Sequence, residues 1–434
     1  MSANIWREMR DPASGTPGFS YRHGGVACER VSLAAIAQRA GTPVFVYSRA
    51  ALTGAYRELN RVLDDCPHRI CYAVKANSNL AVLRAFAGLG SNFDIVSGGE
   101  LFRLRSAGVR GERIVFSGVG KTREEIREAL RARILLFNVE SEEELEALAS
   151  EAARARRAAP AAIRVNPDIE AGGHPHIATG HHRHKFGIDW SEARRLYLRH
   201  RDSLWIEWRG ISAHIGSQIT KTGPFRRASE RLAKYFAELR GQGIKLHFLD
   251  VGGGIGIRYT KEKPLAFAEY AKALPRSLRA VLRESGAELL IEPGRSLVGN
   301  AGVLLTRVLY KKRSRGKTFV IVDAAMNDLI RPALYGAAHC ITPVTRAAAG
   351  ARMERVDIVG PVCESGDFFL HDWPMPEVES DDLLAIWSAG AYGFVESSNY
   401  NSRPRAAEVM VDGAKFRVVK RREARGDLIR GERV

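Results

Sequence analysis

The stretch ICYAVKANSNLAVLRAFAGLGSNFDIVSGGE (residues 70–100) contains the pattern that decides the fold. It begins with an apolar, β-branched run, continues through a helix-like segment and reaches a second apolar run. The apolar character of each run is nearly continuous rather than alternating, which is typical of parallel strands covered on both faces. The stretch therefore predicts one strand–helix unit followed by the next parallel strand.

Similar runs recur on both sides of this stretch, most of them separated by helix-like segments. They are VFVYS (44–48), ICYAV (70–74), FDIVS (93–97), IVFSG (114–118), ILLFNV (134–139), AAIRVN (161–166), GISAHIGS (210–217), LHFLDVGGG (246–254) and ELLIEPG (288–294). Strand–helix units repeated over this length favour a (β/α)8 barrel of the TIM type over a short doubly wound sheet. We expect the barrel to span residues 44–300.

The pattern changes after residue 300, where short β runs are separated by turn residues and show little helical periodicity. Examples are VLLTRVLYKKR (303–313), KTFVIVDAA (317–325) and DLLAIWSAG (382–390). This pattern of short β runs and turns predicts a mostly antiparallel β domain over residues 301–434. Residues 1–43 do not resemble barrel units, and we expect them to join that β domain.

The charge balance of the chain is unusual for an ordinary folded protein. The 434 residues include 66 Lys and Arg against 49 Asp and Glu, a net charge of +17, while the apolar fraction of 45% is average. Such an excess of cations suggests a polyanionic partner. The cations are, however, mostly spread among acids, and only residues 311–317 and 420–433 are locally basic. We therefore expect no nucleic-acid partner.

Cysteine usage and hydropathy indicate the compartment. The five cysteines are odd in number and show no C-x-x-C spacing, so a disulfide framework or a zinc ribbon is not expected. The N-terminus has no apolar signal-like core, and no run approaches the ~18–20 apolar residues that span a bilayer. We expect a cytoplasmic protein without a membrane partner.

Several reactive residues follow the predicted strands directly. Lys75 follows ICYAV, His214 and Ser217 end GISAHIGS, residues 252–254 follow LHFLDV, and residues 292–295 follow ELLI. In a β/α barrel the active site lies at the carboxyl ends of the strands. We expect these side chains to meet there.

Each of these residues has a chemical interpretation and a structural one. Lys75 can form a Schiff base or be a solvated lysine at the barrel rim. The glycines can admit a phosphate or only make a tight turn. His214 can stack on an aromatic cofactor or be a hydrogen-bonded core residue, and Glu292 can hold a pyridine nitrogen or pair with Arg295. Pyridoxal 5'-phosphate is one cofactor that needs all of the chemical roles together.

Motifs along nearly the whole chain strongly resemble the diaminopimelate decarboxylase family, in the same order. They are YAVKANSN (72–79), FDIVSGGE (93–100), HIGSQ (214–218), LDVGGGIG (249–256), EPGRSLV (292–298), MNDLIRPALYG (326–336), CESGD (363–367), SAGAYG (388–393) and SNYNSRPR (398–405). This family has an alanine-racemase-like barrel, a C-terminal β domain and pyridoxal 5'-phosphate. The resemblance implies the same fold and cofactor here.

The resemblance also implies roles for individual residues. It makes Lys75 the Schiff-base lysine, places His214 on the cofactor ring and makes Cys363 the proton donor, although a cysteine can equally be a small buried apolar residue. The implied cofactor-binding residues are Lys75, Asp94, His214, Ser217, Gly253, Gly254, Glu292, Pro293, Gly294, Arg295 and Tyr392. The implied substrate-binding residues are Arg295, Arg331, Tyr335, Glu364 and Tyr392. In this family CESGD enters the site of a second subunit, so the resemblance implies a homodimer with shared active sites.

The implied activity is decarboxylation of meso-2,6-diaminopimelate to L-lysine and CO2, the last step of lysine biosynthesis. Arg295 and Arg331 suit the distal carboxylate of this substrate because a guanidinium pairs with it bidentately, and Glu364 can take the accompanying ammonium. Alternatives are a related decarboxylase for another diaminopimelate-like or basic amino acid, a pyridoxal phosphate carrier without turnover, and a basic nucleic-acid-binding protein.

Five histidines between residues 174 and 184 superficially suggest a metal site. Their spacing matches no standard zinc ligand set, and the flanking residues resemble a family loop near the substrate. We therefore expect no functional metal.

Overall fold

The computed structural model describes residues 15–170 and 185–433. The described residues divide into two compact units. The β unit contains the described residues up to Gly54, residues 258–262 and the described residues from 297 onward. The barrel unit contains the described residues of 55–257, together with residues 263–296. In the described part of the chain, no helix combines the length and the apolar character needed to cross a bilayer.

The N-terminal part of the β unit begins with a small antiparallel sheet and continues through one helix to a longer strand. The elements are β1 (Phe19–Arg22), β2 (Gly25–Cys28), β3 (Val31–Ser32), α1 (Leu33–Ala40) and β4 (Val44–Ser48). The core side of α1 carries Leu33 and Ile36, which are fully buried. Burial of this apolar face stabilises the helix against the unit's core.

The barrel unit is a closed sheet of eight parallel strands. They are β5 (His68–Ala73), β6 (Asn92–Ile95), β7 (Ile114–Phe116), β8 (Leu136–Val139), β9 (Ala159–Arg164), β10 (Ile206–Ser212), β11 (Phe248–Asp250) and β12 (Glu288–Ile291). Each strand pairs with the next along the chain, and β12 closes the barrel by pairing with β5. The predicted (β/α)8 barrel is confirmed.

One helix lies between β4 and the first barrel strand, and the other helices follow the barrel strands. They are α2 (Arg49–Val62), α3 (Leu80–Gly88), α4 (Gly98–Ser106), α5 (Arg123–Ala132), α6 (Glu142–Arg154), α7 (Trp190–Arg199), α8 (Thr222–Gly241), α9 (Phe267–Ala273), α10 (Arg276–Ser285) and α11 (Arg295–Val298). Side chains of Asn79, Ser97, Thr122 and Ser141 cap four of them by accepting a backbone N–H of the first turn. These caps fix where each helix begins and so where the preceding strand's loop ends.

The rest of the β unit is a larger mixed sheet. Its elements are β13 (Gly302–Ser314), β14 (Lys317–Val322), α12 (Arg331–Tyr335), β15 (Ile341–Pro343), β16 (Met353–Val359), β17 (Phe368–Pro376), β18 (Leu383–Ile386), β19 (Ala407–Asp412), β20 (Lys415–Lys420) and α13 (Arg425–Leu428). The strand order is β17-β16-β14-β13-β4-β19-β20. In addition, β18 pairs with β13, and β15 pairs with β18. Among the described strands of this sheet, only β14 with β16 and β4 with β19 pair in parallel, so the predicted mostly antiparallel character is confirmed.

One predicted barrel strand belongs to the other sheet. Strand β4, the run VFVYS, pairs antiparallel with β13 and parallel with β19 instead of starting the barrel. All five of its residues are buried. A strand covered on both faces has the same apolar sequence in either kind of sheet, so the pattern alone could not place it.

Candidate active site

The first strand of the barrel delivers Lys75 to its carboxyl end. A short 3-10 turn, Val74–Ala76, follows β5 directly, and the register of β5 with β6 sets Asp94 beside Ala73. The amine Nζ of Lys75 lies 2.7 Å from Oδ2 of Asp94, whose side chain is fully buried. The other oxygen, Asp94 Oδ1, is buried and has no hydrogen-bond partner among the described residues. The site therefore holds a primary amine against a carboxylate with acceptor capacity left over.

A second group of buried acids lies inside the same barrel. Asn138 Nδ2 is 3.1 Å from Asp250 Oδ2 and 3.4 Å from Glu292 Oε1, and Ser117 Oγ is 3.4 Å from the same Glu292 oxygen. Burial raises the pKa of Asp250 to about 6. Burial and the negative charges of Asp250 and Asp94 raise the pKa of Glu292 well above its usual range. Two such carboxyl groups share protons rather than ionise together.

His214 follows β10 and is held by the glycine loop after β11. Its Nδ1 accepts the backbone N–H of Gly253 at 3.1 Å. Burial, with the positive charges of Arg164 and Lys75, holds the pKa of His214 well below its usual range. The imidazole is therefore neutral, and the ring proton lies on Nε2.

The loops after β10, β11 and β12 form a narrow cradle. Gly254 has a φ of +112°, and a Cβ there would meet the Gly216 carbonyl oxygen at 2.4 Å. Ser217 Oγ lies 3.0 Å from Nη2 of Arg295, at the start of α11. Backbone approach that only glycine permits, together with hydroxyl and guanidinium donors, suits a phosphate.

The remaining residues of the EPGR segment connect this cradle to the lysine strand. Pro293 contributes its carbonyl oxygen, which accepts the backbone N–H of Ala73 at 3.1 Å. A Cβ on Gly294 would meet the Cβ of Ala76 at 3.0 Å. These contacts hold the segment directly against the turn that carries Lys75.

An ion pair between Arg164 and Glu140 was missed by the sequence reasoning. Arg164 ends β9, Glu140 follows β8, and Arg164 Nη1 lies 3.0 Å from Glu140 Oε1 with both side chains buried. Glu140 also accepts the backbone N–H groups of Gly118 and Gly187. The signal was present in AAIRVN and ILLFNVE, because both residues stand at strand ends as Lys75 does.

In the β unit, Arg331 and Tyr335 are brought together on the short helix α12. The guanidinium carbon of Arg331 lies 5.9 Å from the ring centroid of Tyr335 and 4.8 Å from that of Tyr259. Arg331 is 4% exposed and Tyr335 is half-buried. Such ring faces stabilise a buried guanidinium.

The CESGD segment forms a loop anchored at its acidic end. Asp367 accepts the backbone N–H groups of Met326 and Val362, both at 2.7 Å. At the tip, the N–H of Cys363 donates to Oδ1 of Asn401 at 3.0 Å. Cys363 is the exposed one of the five cysteines, which are all free thiols. In the single chain, its side chain is therefore not buried as the alternative interpretation expects.

Glu364 and Tyr392 complete the predicted residues of the β unit. Glu364 Oε2 lies 3.3 Å from the hydroxyl of Tyr400. Tyr392 is half-buried in the loop after β18, in a left-handed backbone conformation with a φ of 54°.

The histidine-rich tract of residues 174–184 lies outside the described residues. Within the described ranges, the structure contains no group of three or more His, Cys, Asp or Glu side chains that could hold a metal ion. The absence of a metal stays a prediction.

Comparison with known proteins relates both units to one family. The model of the pyridoxal-dependent decarboxylase pyridoxal binding domain matches residues 49–299. The chain is 50% identical to the diaminopimelate decarboxylase of Pseudomonas aeruginosa over 95% of its own length and 98% of the relative's. It is 48% identical to the Vibrio cholerae enzyme of the same name, with 94% and 97% covered.

Solved structures agree with the sequence relatives. The Helicobacter pylori diaminopimelate decarboxylase, complexed with L-lysine, has a TM-score of 0.87 and 42% identity, with 92% of this chain and 98% of that chain covered. The M. jannaschii enzyme, in co-complex with L-lysine, has a TM-score of 0.90 and 33% identity, with 97% and 98% covered. With the lysine, acids and glycine cradle at the strand ends, these likenesses establish that the chain belongs to the diaminopimelate decarboxylase family of pyridoxal-dependent decarboxylases.

Proposed function

We propose that this chain converts meso-2,6-diaminopimelate to L-lysine and CO2 with pyridoxal 5'-phosphate, as the last step of lysine biosynthesis. The observation that carries the proposal is the amine of Lys75, held 2.7 Å from buried Asp94 in a barrel that also buries Glu292 with a raised pKa. An amine for an aldehyde and an acid for a ring nitrogen are what this cofactor needs from a protein.

The donor set of the barrel unit fits the cofactor, so we assign this unit as the cofactor domain. When bound, pyridoxal phosphate supplies an electron-accepting ring that stabilises the charge left at Cα as the carboxylate departs. Lys75 provides the amine for its aldehyde. The other residues that we assign to cofactor binding are Asp94, His214, Ser217, Gly253, Gly254, Glu292, Pro293, Gly294, Arg295 and Tyr392.

Glu292 and His214 have complementary roles in this assignment. The raised pKa of Glu292 would let it hold a proton for the ring nitrogen of the bound cofactor and then be the counter-ion of that nitrogen. His214 is neutral, so its ring can pack against an aromatic face without adding a cation. Both groups orient and tune the ring without reacting.

We assign the substrate contacts to Arg295, Arg331, Tyr335, Glu364 and Tyr392. The distal end of diaminopimelate is an amino acid group with one carboxylate and one ammonium. A guanidinium binds a carboxylate with two parallel hydrogen bonds, and Glu364 can accept from the ammonium. This combination of acid and base favours a zwitterionic end over the single distal cation of lysine or ornithine.

Cys363 is our candidate for the proton donor to Cα. Its backbone is tethered to Asn401, and its side chain is exposed in the single chain. Exposure of both Cys363 and Glu364 supports a homodimer in which this loop completes the site of the other subunit. The five free thiols support a reducing, cytoplasmic location.

The decisive experiment is incubation of the purified holoenzyme with meso-2,6-diaminopimelate and measurement of CO2 and L-lysine. We expect both products in equal amounts, with lysine, ornithine and arginine turned over at least about a hundredfold more slowly. Release of CO2 from one of those amino acids, with none from diaminopimelate, would reject the proposed substrate. A Cys363→Ala enzyme with unchanged kcat would reject only the proton donor.

A further inference from the structure

Tyr400 lies beside the CESGD loop and has no role in the function proposed above. It begins a short 3-10 turn, Tyr400–Ser402, and its hydroxyl donates to Oε2 of Glu364 at 3.3 Å. The next residue, Asn401, accepts the backbone N–H of Cys363 at 3.0 Å. Two consecutive residues of the turn therefore hold the two consecutive residues of the loop to which the proposed function assigns chemistry.

The turn and the loop are anchored at neighbouring positions of the β unit. The backbone N–H of Met326 donates to Oδ1 of Asp367, the last residue of CESGD, at 2.7 Å. The carbonyl oxygen of the next residue, Asn327, accepts the backbone N–H of Ser398 at 2.9 Å. These bonds set the bases of both segments side by side. The contacts at the tip therefore join segments that are already placed, which lowers the ordering cost when a substrate binds.

The backbone of the turn adopts an uncommon conformation. Asn401 and Ser402 have φ values of 54° and 52°, in the left-handed region that residues other than glycine rarely adopt. Such a conformation costs energy and persists where surrounding contacts hold it. Asn399 supplies two of these contacts, since its Nδ2 donates to the carbonyl oxygen of Arg403 at 3.0 Å and to Oε2 of Glu423 at 2.7 Å. The turn is thus held in a shape that sets it against the CESGD loop.

A hydroxyl affects a carboxylate differently from a cation. A lysine or arginine in place of Tyr400 would neutralise Glu364 as well as orient it. The hydroxyl orients one oxygen and adds no positive charge. A carboxylate has about four acceptor sites, so capacity for an ammonium remains after one hydrogen bond. The hydrogen bond to Glu364 and the negative charge of that residue raise the pKa of Tyr400, so the hydroxyl keeps its proton and stays a donor.

We propose that Tyr400 is a positioning residue that turns the carboxylate of Glu364 toward the distal ammonium of the substrate. This inference rests on the proposed function, which assigns that ammonium to Glu364. It adds a determinant of specificity that acts through Glu364.

The test compares Tyr400→Phe with Tyr310→Phe in the holoenzyme. Tyr310 is a matched control, because it lies in the same unit, is 68% exposed and loses the same single oxygen. We expect Tyr400→Phe to raise the KM for meso-2,6-diaminopimelate about tenfold, as for a lost hydrogen bond to a charged group, with kcat within about twofold. Tyr310→Phe should keep the wild-type constants. Cofactor absorbance and melting temperature should stay the same in both variants, because Tyr400 is 43% exposed.

Two further measurements separate positioning from a structural role. In a Glu364→Ala background, Tyr400→Phe should change the KM by no more than about twofold, because the hydroxyl then has no carboxylate to orient. The second measurement uses 2-aminopimelate, which lacks the distal ammonium, as a competitive inhibitor. Its inhibition constant should be the same for the wild type and for Tyr400→Phe.

The outcomes distinguish the two proposals. A wild-type enzyme that does not act on diaminopimelate rejects the proposed function and this inference with it. An active wild type whose KM is unchanged in Tyr400→Phe rejects only the role of Tyr400. That role is also overturned by a full tenfold effect in the Glu364→Ala background, or by weaker binding of 2-aminopimelate to Tyr400→Phe, since the hydroxyl would then act on something other than the ammonium contact.

Discussion

Two clusters, one in each unit, bury ionisable groups in opposite ways. The cluster in the barrel unit consists of three buried acids, Asp94, Asp250 and Glu292, with Asn138 bridging the last two. The cluster in the β unit surrounds the buried cation Arg331 with two tyrosine rings and the imidazole of His339. Burial penalises the charged form in both places.

The difference between them follows from which group can change its charge. A buried carboxyl can keep its proton, so the barrel cluster responds by raised pKa values. A guanidinium stays protonated in proteins, so the β unit must supply acceptors and ring faces instead. The three acids of the barrel unit can thus keep protons, whereas the buried guanidinium of Arg331 keeps a positive charge. The following predictions test this contrast.

The largest effect is expected at the amine that faces the acids. Lys75→Ala should remove the visible absorbance of the bound cofactor and lower kcat by at least on the order of a thousandfold, because no other described lysine contacts Asp94. Absorption spectra and steady-state kinetics measure both. Lys121→Met is the matched control, since this buried lysine pairs with Glu144 and should affect stability without affecting the spectrum. Retained absorbance in Lys75→Ala would contradict the assignment.

The next effect concerns the acid that can become charged. Glu292→Gln keeps the size of the side chain but cannot become the counter-ion of a protonated ring nitrogen, so we expect kcat to fall about a hundredfold with little change in KM. Steady-state kinetics with diaminopimelate measures the split. Arg331→Ala is the contrasting variant from the β unit, where KM rather than kcat should change. Equal changes in both constants for both variants would erase the distinction between the clusters.

Proton storage in the barrel also predicts a pH dependence of stability. The pKa of Asp250 is raised from 3.8 to about 6, so between these values the folded state binds more protons than the unfolded state. Stability from this group is therefore present at low pH and lost as pH rises through about 6.

The measurement is denaturant unfolding of cofactor-free wild type and Asp250→Asn at pH 4.5, 5.5 and 7.5. The free energy of unfolding of Asp250→Asn should increase relative to that of the wild type as pH rises. The control is Asp202→Asn, at a side chain that is 85% exposed. Its free energy of unfolding should differ from that of the wild type by the same amount at each pH. If the free energies of unfolding of Asp250→Asn and the wild type change equally with pH, Asp250 ionises normally and the prediction is wrong.

The smallest effect is expected at Asn401, which belongs to neither of the two clusters of buried ionisable groups. Asn401 has a φ of 54° and accepts the N–H of Cys363 at an exposed position. Asn401→Gly tolerates that backbone but loses the acceptor, so we expect kcat to fall about fivefold, while Asn401→Asp should stay near wild type. Kinetics of the two variants decides this. A Gly variant as active as the Asp variant would show that the tether does not position Cys363.

The sequence predicted the barrel because its strands carry a local apolar signal, and it predicted Lys75, His214 and Glu292 because they end those strands. It could not place β4, whose five buried residues fit either sheet. The Asn138–Asp250 contact joins residues 112 positions apart, and no local pattern signals it. The contact of His339 with the carbonyl oxygen of Trp387, 48 positions away, was missed for the same reason.

The position of β4 has a consequence for synthesis of the chain. The strand is completed early, but its partners β13 and β19 emerge only after the whole barrel. At about 5–20 residues per second, roughly 250 intervening residues keep this apolar strand without its sheet for about 10–50 s on the ribosome. During that interval an apolar edge is open to pairing with other nascent chains. The sheet of the β unit is thus completed last, even though one of its strands is among the first to be made.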